Sequence, residues 1–198
     1  AKKYGTRLHI LHISTARELR LFTNLFPLKD KRITTEVCVH HLHFTSDDYA
    51  QLGNKIKCNP AIKAPHNREG LWEALLDDRL DIIATDHAPH HADEKALEYD
   101  RAPMGITGLE TALGLAFNEL VHRGVIDLVR LVELCSANPA RIFKLAGRGT
   151  LAPGSVADVT IIDPDLIWTY TNANSRSKSK NTPFDGWQFN GRAVATIV

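Results

Sequence analysis

An α/β fold built on a parallel sheet is predicted by two observations, and a third marks where the pattern ends. Short apolar, β-branched runs alternate with stretches whose apolar residues recur at helical spacing, the signature of βα units. Each of three such runs ends in polar residues, namely His12, the pair His40-His41, and Asp86 with His90. In parallel α/β folds the C-terminal strand ends carry the ligand site. From Gly147 the helical pattern gives way to a turn-rich link and short β-branched runs. Residues 1–146 are therefore read as successive βα units, and 147–198 as a small β-rich segment.

The elements follow in order. Residues 8–14 (LHILHIS) read as a buried strand, with Leu8, Ile10, His12 and Ser14 on one face. Ser14 or Thr15 caps a helix predicted over Arg17 to Phe26, which Pro27 ends. Residues 33–41 (ITTEVCVHH) form a second strand, and Thr45 to Asp48 open a short helix or turn. Residues 56–62 (IKCNPAI) are extended, because Pro60 disfavours a helical Asn59. Asn67 caps an amphipathic helix to Leu80 that carries Leu71, Trp72, Leu75 and Leu76. A third strand runs from Asp81 to Ala84. Residues 91–107 are a polar loop long enough to be functional. Helices follow over Gly108 to His122, Asp127 to Leu134 and Pro139 to Leu145, the last capped by Ser136-Ala137-Asn138. Beyond Gly147, strands are expected at 157–162, 167–170 and 193–198, with a turn at Asp163-Pro164-Asp165 and a flexible Ser/Lys/Asn run from 172 to 181.

Composition narrows the function classes. With 198 residues, 43% of them hydrophobic, the chain can bury a real core. A net charge of +1 gives no reason to expect nucleic acid or an anionic membrane. No apolar run is long enough to span a bilayer. Three scattered cysteines argue against a disulfide scaffold and fit a cytoplasmic setting. Ten histidines hint at metal chemistry.

The stretch Asp81 to His90 (DIIATDHAPH) concentrates that chemistry. One Asp and two His after a buried strand suit a metal or proton-transfer site. The competing reading is an Asp and a His that cap a following helix. Three polar clusters at corresponding strand ends favour the site, since such ends ring one mouth of a βα barrel. Neutral His and ionised Asp are ligands for a zinc-like ion that leaves room for water. An adjacent aspartate then accepts a proton and returns it to a leaving nitrogen.

The segments HILHIST (9–15), EVCVHHL (36–42), KCNPAIK (57–63) and ATDHAPH (84–90) come in the order and spacing of dihydroorotases. The likeness continues through APMGITGLE (102–110), NPARIF (138–143), Ala157-Asp158 and NTPF (181–184), so the chain resembles that family, within the metal-dependent amidohydrolases, over nearly its whole length. The resemblance implies the C-terminal part of a (β/α)8 TIM-like amidohydrolase barrel, followed by part of a small β-sandwich domain. It implies reversible hydrolysis of dihydroorotate to N-carbamoyl-aspartate in pyrimidine synthesis, with one or two Zn2+ ions per full-length subunit. His12 matches a metal ligand, and strand parity agrees, because His12 and not His9 shares the face that ends at Ser14. Asp86 matches a metal ligand that is also the general base and acid. His90 matches a residue that binds the substrate carboxylate and ring, Asn59 a substrate contact, and Met104 and Gly105 a loop whose backbone holds the pyrimidine ring. Glu36 and His41 stay outside the core ligand set. Where relatives often carry Thr-Pro, this chain has Cys38-Val39, and a buried structural thiol is expected. His87 is left with an orienting hydrogen bond.

The His-x-His of the first barrel strand, a carboxylated Lys or Asp, and a further His on a middle strand have no counterpart here. A full barrel takes about 250 residues. The chain is therefore expected to be a C-terminal portion that by itself binds metal weakly and lacks activity. Dihydropyrimidinase, hydantoinase and allantoinase are the related alternatives, and His90 with Asn59 favours the carboxylate-bearing dihydroorotate. A non-catalytic subunit that scaffolds an aspartate transcarbamoylase is the alternative of another class. The resemblance leaves a homodimer open.

Overall fold

A computed structural model describes residues 1–198. Three short parallel strands, β1 (Leu8–Ile10), β2 (Ile33–Cys38) and β3 (Ile82–Ala84), form one sheet with β2 in the middle. Leu8, His9 and Ile10 pair with Ile33, Thr34 and Thr35, while Glu36, Val37 and Cys38 pair with Ile82, Ile83 and Ala84. β2 thus spends its first half on β1 and its second half on β3. The sheet is staggered, and the ends of β2 and β3 lie side by side.

Eight short helices complete this part: α1 (Ala16–Leu19), α2 (Val39–His43), α3 (Tyr49–Leu52), α4 (Pro65–Leu76), α5 (Ala92–Lys95), α6 (Leu109–Ala116), α7 (Leu128–Val132) and α8 (Asn138–Ile142). α6 and α7 continue into π-helical turns over Phe117–Val121 and Glu133–Ala137. No helix is long and apolar enough to cross a membrane. An antiparallel pair, β4 (Val159–Thr169) and β5 (Gln188–Ile197), follows. Phe184, Phe189 and Tyr170 join it to the same apolar cluster as Leu71, Leu75, Leu115 and Phe117. The fit is close: a Cβ on Gly114 would stand 2.9 Å from Phe189, and one on Gly191 would stand 2.6 Å from Phe117. Glycine is thus required where β5 crosses α6 and the turn after it.

Several expected elements differ. The first strand stops at Ile10 rather than Ser14. His12 adopts φ 55, a left-handed backbone that ends the alternation, so strand parity does not place its side chain. The bend lets the Ile13 N–H reach Glu36 O at 2.8 Å and buries Ile13 and Ser14. Thr15 does cap a helix, accepting from Glu18 N, but α1 is one turn long, and Leu21, Leu25 and Phe26 beyond it are exposed. Residues 39–43 are helical, so His40 and His41 do not end a strand. All of Val39 to Leu42 is buried, which removes the one-sided pattern that marks a helix in sequence.

Residues 57–62 are irregular, with a cis Asn59–Pro60 bond, not a strand. Pro65 starts α4, and Asn67 lies inside it, where its side-chain oxygen accepts from Ala16 N instead of capping. The loop after residue 91 contains α5, opened by a His91 cap and a Glu94 that reaches back. Asn138 is helical rather than a cap, and its side-chain amide donates to Asp81 O at 2.9 Å. Residues 163–165 lie within β4 where its register breaks, so two predicted strands are one. The 172–181 run is anchored: Ser175 donates to Glu110, and Ser175 and Ser179 are buried.

A buried ion pair fixes the start of β3. Lys31 Nζ donates to Asp81 Oδ1 at 2.6 Å, and the other Asp81 oxygen accepts from Thr35 N at 2.9 Å. Asp81→Ala would leave the buried Lys31 ammonium without its counter-ion, held only by the Asp78 carbonyl, so urea unfolding is expected to show a loss of about 3–5 kcal/mol, much of it recovered by the Lys31→Met/Asp81→Leu pair.

Candidate metal and active site

Four segments converge at the C-terminal ends of the strands. The bend after β1 delivers His12. The end of β2 delivers Glu36 and Cys38, and α2 delivers His40 and His41. The turn after β3 delivers Asp86. Asp86 has φ 44 and His12 φ 55, so both occupy the left-handed region that non-glycine residues rarely adopt. Such backbone persists only where surrounding contacts hold it, and it clusters at functional sites.

The His12 ring sits between two carboxylates. Its Nδ1 lies 2.7 Å from Glu36 Oε1, and its Nε2 lies 3.5 Å from Asp86 Oδ1. A neutral imidazole has one N–H, so only one side can donate. On the other side a nitrogen lone pair faces a carboxylate oxygen. That arrangement is favourable only with a positive charge there, either an imidazolium proton or a cation. Glu36 is itself buried and accepts a second contact from His9 Nε2 at 3.0 Å. His9 Nδ1 in turn meets Thr34 Oγ1 at 2.8 Å. One carboxylate therefore orients two histidines. Burial raises the Asp86 carboxyl above its ordinary value; nearby His12 opposes this and Glu36 adds to it.

Around this pair the donors are unusually dense. Ligand atoms of His12, Cys38 and Asp86 lie within 4.8 Å of one another, and so do those of Cys38, His40 and His41. Cys38 belongs to both groups. His41 Nε2–H donates to Pro60 O at 3.0 Å, since the carbonyl can only accept. Its Nδ1 and the Nε2 of His40 are buried with no hydrogen-bond partner. Unpaired buried nitrogens are costly unless something outside the protein satisfies them. His40 and Cys38 were not assigned a site role from sequence. Two histidines in a row behind a strand were the available signal, but a strand reading sends one of them to each face.

A second group of contacts builds the adjoining loop. His90 Nε2–H donates to Met104 O at 3.0 Å, and Asn181 holds His90 O. Gly105 has φ 153, and a Cβ there would stand 2.2 Å from Ala88 O and 2.9 Å from the His90 ring. The Gly105 N–H donates to Lys57 O at 2.8 Å. Lys95 closes the arrangement from below. Its Nζ donates to Lys57 O, Pro103 O and Gly105 O at 3.1, 3.1 and 2.9 Å. Burial, with the Lys57 ammonium nearby, pulls the Lys95 amine down to about 8. The structure therefore brings His12 to Asp86, and His90 to Met104 and Gly105. Asn59 is exposed two residues after Lys57, on the segment that Lys95 ties to Gly105. His87 turns away: its Nδ1 accepts from Gly108 N and Leu109 N at 3.2 Å each and caps α6. The capping reading thus holds for His87, although Asp86 beside it belongs to the donor cluster.

The profile described as "Amidohydrolase family" matches residues 2–198. The chain is 44% identical over 191 residues to a dihydroorotase of Endomicrobium trichonymphae, covering 96% of this chain and 45% of that protein. It is 45% identical to a dihydroorotase of Geobacter metallireducens, covering 96% and 44%. Among solved structures it superposes on an L-hydantoinase (dihydropyrimidinase) from Arthrobacter aurescens with a TM-score of 0.90 and 31% identity, over 100% of this chain and 44% of that one. A dihydroorotase from Saccharomyces cerevisiae shares the fold, with a TM-score of 0.77 at 18% identity, over 96% and 51%. The chain spans about half the length of the relatives it matches.

The buried histidines carry a pH signature. Burial lowers His40 well below the ordinary range and His41 to about 4. Unfolded histidine takes up its proton near 6.5, so between about pH 6.5 and 4 the unfolded chain binds more protons than the folded one. Stability of the metal-free protein therefore falls as pH drops through that window, with His41 alone costing on the order of 3 kcal/mol. Urea midpoints from pH 7 to 4.5 are expected to show this fall, and a His41→Gln variant a shallower one.

Proposed function

The chain belongs to the amidohydrolase family, and from that premise we propose that it supplies the C-terminal part of a dihydroorotase. In this reading residues 1–146 are the last βα units of a (β/α)8 barrel, and residues 147–198 are part of a β-sandwich domain. The strand order β1-β2-β3, with the polar ends gathered at one side, supports the barrel reading. The observation that carries the function is the His12–Asp86 pair, 3.5 Å apart beside unpartnered histidine nitrogens, in a chain 44% identical to a dihydroorotase.

The residues fit a metal on their own chemistry. The lone-pair-to-carboxylate contact at His12 calls for a positive charge, and the buried Nε2 of His40 lacks a partner. His12 and Asp86 would hold the ion, with His40 the added candidate, and nitrogen, oxygen and sulfur donors suit Zn2+. Such an ion polarises a carbonyl and lowers the pKa of bound water. Asp86 takes up a proton at its carboxylate and returns it to the departing ring nitrogen, a role helped by the burial that raises its affinity for protons. Glu36 keeps the His12 ring in place. His90, its ring fixed by the Nε2–H bond to Met104 O, packs against the substrate ring, and the exposed amide of Asn59 donates to the substrate carboxylate. The N–H of Gly105 is engaged with Lys57 O and its C=O with Lys95, so Gly105 contributes the close backbone approach that a side chain would block. Three free thiols suit the cytoplasm. A homodimer and an aspartate transcarbamoylase partner remain expectations of the same kinship.

The test is turnover by the protein at its relatives' full length. It is expected to hydrolyse dihydroorotate, to lose activity to a chelator, and to drop about 10²–10⁴-fold in kcat with Asp86→Asn. The 198-residue chain alone is expected to be inactive. Preference for hydantoin, dihydrouracil or allantoin would reassign the substrate. A metal-free, inactive full-length protein that bound a transcarbamoylase would replace the enzyme reading with a scaffold.

A further inference from the structure

The sulfur of Cys38 is the one donor shared by the two clusters, His12–Cys38–Asp86 and Cys38–His40–His41. Its position follows from the sheet. Cys38 is the last residue of β2 and stands level with Ala84, the last residue of β3, two residues before Asp86. It is fully buried, and its Sγ lies 3.2 Å from His12 Nδ1. That nitrogen is already engaged at 2.7 Å with Glu36, so the sulfur competes for a donor that is taken. Two residues on, His40 is 98% buried and offers a ring nitrogen without a partner, in the same cluster as the sulfur. The other thiols differ. Cys58 donates to Pro60 O at 3.2 Å, and Cys135 lies on the 133–137 turn, outside both clusters.

We propose that Cys38 is a direct metal ligand, its thiolate linking the half-buried His12–Asp86 pair to the buried His40–His41 pair. The inference rests on the metal reading above and adds the sulfur to it. On binding, the S–H bond breaks, the proton passes to solvent, and a sulfur–metal bond forms with no change of oxidation state. A thiolate among imidazoles and a carboxylate tilts the site toward thiophilic ions such as Zn2+, Co2+ and Cd2+ and away from Mg2+ or Ca2+.

Co2+ added to saturation to the metal-stripped chain tests this, in a Cys58→Ser/Cys135→Ser background that leaves Cys38 the sole thiol. Visible d–d bands stronger than those of aqueous Co2+ report ligation by any donor, and a near-ultraviolet sulfur-to-cobalt charge-transfer band reports ligation by Cys38. Both are expected, with one more proton released per ion than in Cys38→Ser or Cys38→Ala. Either variant should lose the near-ultraviolet band and keep the d–d bands. The pair of variants, checked by circular dichroism, covers the case in which a buried serine fails to fold. Visible bands without the sulfur band would overturn the Cys38 assignment and leave the metal reading standing. Neither band would overturn both.

Discussion

Glu36 is the contact on which the arrangement turns. It lies on the middle strand, buried, and accepts from His9 on one side and His12 on the other. The backbone at the same residue accepts from Ile13 N and pairs with Ile82. The sheet register and the orientation of the His12 ring are therefore set at one position. A negative charge there is costly to bury and is held by the two rings that surround it. It also keeps the His12 ring from turning, so the opposite nitrogen must face Asp86. Ligand rings in metal sites are commonly fixed by a carboxylate in this manner.

Much of the fold was legible because its strands are written in β-branched residues bounded by turns. Ile33 to Cys38 and Ile82 to Ala84 lie where the pattern puts them. The pairing of His12 with Asp86 was legible for a coarser reason, since strand ends in a parallel sheet face one way. What escaped has physical causes. The bend at His12 depends on a left-handed residue that only tertiary contacts hold. The helix over Val39–His43 is buried on all sides, so its sequence shows no polar face to betray a helical period. Lys95 reads as a solvated charge in a polar loop, whereas its amine meets three backbone carbonyls that no sequence pattern brings together. His87 and Asp86 are neighbours with separate duties, one a helix cap and one a donor, and composition alone cannot divide them.

The molecule accepts several buried charges and unpaired nitrogens around one small region. Lys31 and Asp81 neutralise each other under the sheet, at the start of β3. At its other end, Glu36 and Asp86 stand close to His12 with no matching lysine or arginine in contact. Natural folds keep such local conflicts chiefly where function demands them. The apolar cluster that runs from α4 through α6 to Phe189 provides the rigidity to hold them.

The three carbonyls around Lys95 have a mechanical consequence. They belong to two separate loops, 57–62 and 103–106, and the single ammonium between them works as a rivet. Neither loop can swing outward alone without stripping that ammonium of one or two of its three carbonyls. A displacement of either loop would therefore draw on the other. Backbone amides in the two loops should share one opening free energy in hydrogen exchange, and unrelated values would show the rivet to be loose.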